Sequence, residues 1–107
     1  MAVERADVYL VSLDPTIGSE IKKTRPCLVI SPDEMNRHLR TVIVAPLTSQ
    51  GRLYPTRVRC HFDDRDGLIV LDQIRTVDIT RLVRKLGRIE SATMSAVLST
   101  LGRIFAE

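Results

Sequence analysis

Every apolar run in this chain is cut within a few positions by a proline, a glycine or a charge. That punctuation excludes most architectures. Val8-Tyr9-Leu10-Val11 is stopped by the turn dipeptide Asp14-Pro15, Cys27-Leu28-Val29-Ile30 lies between Arg25-Pro26 and Ser31-Pro32, and Val42-Ile43-Val44-Ala45 ends at Pro46. Leu68-Ile69-Val70-Leu71 follows the turn signal Asp63-Asp64-Arg65-Asp66-Gly67, with Gly67 at the position expected to take a positive φ. Such short, β-branched runs between turn residues predict strands over residues 7–13, 27–31, 41–45 and 68–71. Residues 54–62 alternate, Val58 and Cys60 against Arg57 and Arg59, as a half-exposed strand does. Residues 32–40 predict a single helical turn and residues 79–90 a short turn and a last strand.

Only the C-terminus differs. Met94, Val97, Leu98, Leu101, Ile104 and Phe105 form one apolar stripe at helical spacing, with Ser91 placed to cap it. The expected fold is therefore mainly β with a C-terminal helix: a small, strongly bent sheet or barrel on which the helix packs.

The 107 residues, 44% of them hydrophobic, fit one domain over residues 1–107. No membrane span or export signal is evident, and Glu4, Arg5 and Asp7 stand where a signal peptide needs an apolar core, so the expected location is cytoplasmic. Cys27 and Cys60 read as buried free thiols. With two histidines and no HxH or CxxC spacing, no metal or other cofactor is expected. A net charge of +3 hints at an anionic partner, and thirteen arginines against three lysines favour side chains that grip phosphate or carboxylate with two hydrogen bonds. An arginine-rich codon bias explains that ratio equally well.

Residues 15–26 read as a functional loop, holding Gly18, Glu20, Arg25 and Pro26 between two strands. Its neighbours in the sequence pattern are the polar segments 46–51 and 72–76, and together the three predict a cleft, with the loop mobile between Thr16 and Lys23.

Taken in order, Asp14-Pro15-Thr16, Gly18-Ser19-Glu20, Arg25-Pro26, Ser31-Pro32, Asn36, Val44-Ala45-Pro46-Leu47-Thr48-Ser49, Asp66-Gly67 and Asp72-Gln73-Ile74-Arg75 resemble the signature blocks of the MazF/PemK-type toxins. The resemblance spans almost the whole chain. It implies an SH3-like barrel of the CcdB/MazF kind, a homodimer, and a metal-independent, sequence-specific endoribonuclease. Such an enzyme cuts single-stranded RNA (mRNA) to 2′,3′-cyclic phosphate and 5′-OH ends. It also implies a cognate antitoxin whose acidic, disordered tail wraps the toxin.

By that resemblance Arg25 and Thr48 are the catalytic residues. Arg25 suits stabilisation of a dianionic phosphorane, since a guanidinium is planar and charged, and its ordinary pKa of about 12.5 or higher makes it a poor base. A surface salt bridge with Glu20 is the other use the sequence offers it. Thr48 could donate to a phosphate oxygen or merely form a turn. Glu20 and Asp72 are the acid/base candidates. Family members that rely on the aspartate carry an arginine two residues earlier, where this chain has Val70; that favours the Arg25 and Thr48 scheme and leaves the base open. Ser19, Asn36, Ser49, Gln73 and Arg75 carry groups suited to base edges or phosphates. Aromatic residues are few, and Tyr54 is the one expected to stack on a base. Two other classes stay open: a CcdB-like gyrase inhibitor and a non-catalytic RNA-binding barrel.

Overall fold

The computed structural model describes residues 2–107. Its elements in chain order are β1 (Asp7–Ser12), β2 (Thr24–Val29), α1 (Asp33–His38), β3 (Thr41–Thr48), β4 (Arg57–Phe62), β5 (Arg65–Val70), β6 (Arg75–Asp78), β7 (Leu82–Arg88) and α2 (Ser91–Phe105). Single 3₁₀ turns at Leu71–Gln73 and Ile79–Arg81 flank β6. All strand pairs are antiparallel, in the order β4-β5-β3-β2-β1-β7, with β6 also on β3.

β3 organises the sheet. It pairs with β2 through Val44, Ala45 and Pro46, with β6 through Thr41–Val44, and with β5 through Leu47 and Thr48. Serving two strands in succession along one edge bends the sheet towards a barrel. No ladder joins β4 to β7, so the sheet is barrel-like and stays open. The two ends meet through side chains instead: a Cβ at Gly87 would lie 3.2 Å from the Phe62 ring.

The central strands are buried on both faces. Val8, Leu28, Ala45, Leu47 and Ile69 join Met94 and Val97 of α2 in one core. Tyr9, Val11, Cys27, Val29, Val42, Val44 and Val77 form the other. The period-2 alternation thus feeds two cores, which is why these runs read as continuously apolar. Both cysteines are free and buried, and burial pushes the Cys27 thiol up to about 12.

Several boundaries depart from expectation for physical reasons. β2 begins at Thr24 and runs through Pro26, and β3 continues through Pro46 to Thr48. Each proline sits where its strand lacks a ladder on one side, since the β2–β3 pairing starts at Cys27 and Pro46 falls between the β6 and β5 ladders on β3. A missing N–H costs no bond there. β6 has no counterpart in the apolar pattern, being four residues long with only Val77 buried.

The β4–β5 turn is made by Asp63 and Asp64, at φ 55° and 59°, with Phe62 paired to Arg65. That is a two-residue turn of the kind aspartates tolerate. Gly67 lies inside β5, where a Cβ would come within 2.9 Å of the Thr48 carbonyl oxygen. Glu90, not Ser91, caps α2, without a side-chain hydrogen bond. The buried face of α2 is Met94, Val97 and Thr100, with Leu98 and Phe105 exposed. Among the described residues no helix is long and apolar enough to cross a membrane.

Candidate active site

The β1–β2 loop contributes to two depressions that share no lining residue. The larger, about 470 Å³, gathers Lys23 from the loop end, Arg25 from β2, Thr48 from the end of β3 with Ser49 just after it, Arg65 from β5 and Arg84 from β7. The second, about 400 Å³, holds Ser19 and Glu20 from the loop tip with Asp72, Gln73 and Arg75. The single cleft expected from the sequence is thus two adjoining ones, with Arg25 and Thr48 together in the first.

Arg25 does not pair with Glu20. Its Nε donates to the Lys22 carbonyl oxygen at 2.9 Å, which fixes the guanidinium plane and leaves its terminal nitrogens for a ligand. Among the described residues it makes no salt bridge. Thr48 both turns the chain and offers a donor. Its Oγ1 accepts from the Gln50 amide at 3.2 Å, which leaves the hydroxyl proton free to donate to a ligand. Ser49 is exposed beside it.

Glu20 accepts from the Ile17 amide at 2.6 Å. Glu20 also lines the second depression. Asp72 is engaged more heavily: Arg57 donates to both its oxygens at 3.0 and 3.2 Å, and Thr56 Oγ1 donates at 3.1 Å. The hydrogen bond from Arg57 holds the Asp72 carboxyl below its ordinary range, with Thr56 adding to it. A carboxylate so stabilised is a weak base. The same Arg57 lies 4.8 Å from the centroid of the Tyr54 ring, which is half exposed.

The remaining sequence candidates divide. Gln73 is occupied by the loop, accepting from the Ile21 amide at 2.7 Å and donating to the Ser19 carbonyl at 3.4 Å. Lys23 N donates to Asp14 at 3.1 Å, so the loop expected to swing between Thr16 and Lys23 is fastened at several points. Arg75 donates to the Leu13 carbonyl at 2.9 Å and lines the second depression. Asn36 lines neither depression: both ends of its amide bond Ser31, at 2.5 and 3.0 Å, and tie α1 to the segment that follows β2.

Arg65, Arg84 and Lys23 were not singled out by the sequence. Arg84 and Leu86 alternate on one face of β7, the period that would have found them. Across the β4–β5 hairpin His61 bonds Asp66 at 2.9 Å, and that bond raises the His61 pKa from its ordinary value, helped by Asp64 and Glu90. Among the described residues no three His, Cys, Asp or Glu side chains converge as a metal site.

A family model described as the PemK-like, MazF-like toxin of type II toxin–antitoxin systems matches residues 4–105. The Endoribonuclease EndoA of Bacillus subtilis (strain 168) is 41% identical over 103 residues, covering 91% of this chain and 89% of that protein. Among solved structures, MazF from Deinococcus radiodurans superposes with a TM-score of 0.85 over 97% of this chain and 96% of its own, at 24% identity, which speaks to the fold. A mycobacterial endoribonuclease in complex with its cognate antitoxin gives a TM-score of 0.81 at 29% identity, over 95% and 93% of the two chains. A matched model over nearly the full length, with a relative at that identity, means that this chain belongs to the PemK-like, MazF-like family of type II toxin–antitoxin toxins.

Proposed function

We propose that this endoribonuclease toxin cuts single-stranded RNA at short sequences, without a metal, by driving a ribose 2′-OH onto the adjacent phosphorus. The products are a 2′,3′-cyclic phosphate and a 5′-OH end. The observation that carries this reading is the meeting of Arg25 and Thr48 in one cavity. Attack by the 2′-oxygen, its proton taken by a base, forms the bond to phosphorus and gives a crowded phosphorane that carries two negative charges. The bond to the 5′-oxygen then breaks, and that oxygen takes a proton from solvent to leave as the 5′-OH. The Arg25 guanidinium, aimed by the Lys22 carbonyl, pairs with two of the phosphorane's oxygens, and the Thr48 hydroxyl donates to a third.

Of the two base candidates, Glu20 has the freer oxygen, since Asp72 is held as a carboxylate by Arg57 and Thr56. Glu20 lines the neighbouring depression, so the 2′-OH proton reaches it only when the RNA strand crosses from one depression to the other. Ser19 and Ser49 stand where bases or phosphates of that strand would pass, and Gln73 acts by fastening the loop.

A cognate antitoxin neutralises the toxin in the cytoplasm; support comes from the related mycobacterial endoribonuclease, solved with its own antitoxin. A net charge of +3, carried mainly by arginines, suits an acidic partner segment. The toxin works as a homodimer, for which the exposed Leu98 and Phe105 of α2 supply apolar surface; sedimentation as a monomer at micromolar concentration would contradict this.

The test is incubation of purified protein with single-stranded RNA in excess chelator, followed by mapping of the fragment ends. Discrete cuts with cyclic-phosphate ends are expected. Gyrase inhibition without RNA cleavage, or cutting that stops with chelator, would overturn the reading.

A further inference from the structure

The Arg25–Thr48 cavity holds more positive charge than one scissile phosphate uses. Lys23, Arg25, Arg65 and Arg84 line it against the carboxylates of Asp63 and Asp66, leaving two positive charges in excess. Asp66 is further engaged by His61. On binding, before charge builds at the phosphorus, a phosphodiester brings one negative charge, so the excess suits a second. Arg65 and Arg84 are exposed and, among the described residues, neither is paired with a carboxylate.

The register separates these cations into two groups. β1 runs between β2 and β7, and Leu10 pairs with Pro26 on one side and with Arg84 on the other. With neighbouring strands about 4.8 Å apart, the backbones at Pro26 and Arg84 stand about 10 Å from each other. β2, which carries Arg25, and β7, which carries Arg84, therefore flank Leu10 on opposite sides, and both arginines line the cavity. Between them the cavity floor is apolar, formed by Leu10, Pro26, Phe62 and Leu86. A charged rim around an apolar floor matches a nucleotide strand, whose bases have apolar faces and whose phosphates lie at intervals.

We propose that this cavity binds two consecutive phosphates of the RNA, the scissile one at Arg25 and Thr48 and its neighbour at Arg84 assisted by Arg65, with the intervening nucleoside on the floor. The proposal rests on the nuclease reading and adds to it a residue that fixes the strand's position. Arg84 then belongs to substrate binding and takes no part in bond making. Its loss raises KM with little change in kcat.

The experiment uses short RNA oligonucleotides in which one phosphate on either side of the scissile bond is replaced by an uncharged methylphosphonate. For the parent protein, kcat/KM is expected to fall about tenfold at one of the two neighbouring positions. Arg84→Gln should lose about as much on unmodified RNA and nothing further on that modified strand, and its salt dependence should be shallower by about 0.7 in log–log slope, one phosphate contact on a single strand. Arg37→Gln, on α1 and outside both depressions, should behave as the parent.

An Arg84→Gln variant that still responds fully to both neutral phosphates, or that cleaves like the parent, would overturn the proposal. So would a variant that cleaves normally but changes its sedimentation, which would make this face a contact between copies of the chain. Binding of uncleavable strands, 2′-deoxy at the scissile nucleotide, is followed by anisotropy. It keeps the two readings apart: a parent that binds with the phosphate dependence above yet cuts nothing refutes the nuclease reading alone.

Discussion

Replacing Gly67 by alanine joins the fold to the chemistry in one substitution. The added Cβ would sit 2.9 Å from the Thr48 carbonyl oxygen, against the 3.4 Å at which ordinary contact begins. The neighbour is backbone in a paired strand, so it cannot swing aside as a side chain would. β5 and β3 must part by about half an ångström, and overpacking of that kind costs about 1–3 kcal/mol. At about 4–8 °C per kcal/mol for a domain of this size, Tm should fall by roughly 5–20 °C.

The strand that moves carries Thr48, so cleavage measured well below Tm should also fall, by about tenfold or more. Gly102 is the control. It lies in α2 with no neighbouring element within 4 Å of an added Cβ, and its alanine variant should gain about 0.5–1 kcal/mol. The assays are thermal denaturation by circular dichroism and cleavage of a fluorescent RNA. A Gly67→Ala protein that melts and cuts like the parent would refute the argument that the close approach of β5 positions Thr48.

Two further predictions concern charge. Asp7 is fully buried and accepts from the Glu4 amide, from Arg88 at 2.9 Å and from Lys85 at 3.2 Å; Asp7→Ala leaves that amide without its acceptor and should destabilise the protein by about 2–3 kcal/mol in urea denaturation, and a change below 0.5 kcal/mol would contradict it. Asp72 has its folded pKa lowered below the ordinary 3.8 by Arg57, so the pair's contribution is present above about pH 4 and is lost as pH falls through the lowered folded value. The stability gap between parent and Arg57→Gln should accordingly narrow below pH 4, as followed by melting temperature; a gap that stays constant down to pH 2 would remove Asp72 as the partner.

What the sequence made legible follows from what punctuates it. Prolines, glycines and aspartates marked the short strands, and the stripe from Met94 to Phe105 marked α2, because both signals are local. β6 escaped because one buried residue, Val77, carries it and its partner β3 lies far away in sequence. Pro26 and Pro46 were read as strand ends because a proline's cost depends on whether that edge is paired, which only the register of β2 and β3 decides.

The site divides in the same way. Arg25 and Thr48 were reached through their motifs, whereas Arg65 and Arg84 come from β5 and β7, brought to the cavity by long-range pairing. Asn36, reached through its motif, lies outside both depressions and bonds Ser31. Asp72, a base candidate by type, is committed to Arg57, a partner fifteen residues away that no local pattern announces.

The central claim is that Arg25 stabilises the reacting phosphate in a metal-free RNA cleavage. The direct measurement is the single-turnover rate of Arg25→Ala against the parent, on the same RNA, in chelator, with melting profiles recorded for both. A loss of about a hundredfold or more with an unchanged melting profile is expected. Full cleavage by the folded variant would contradict the account.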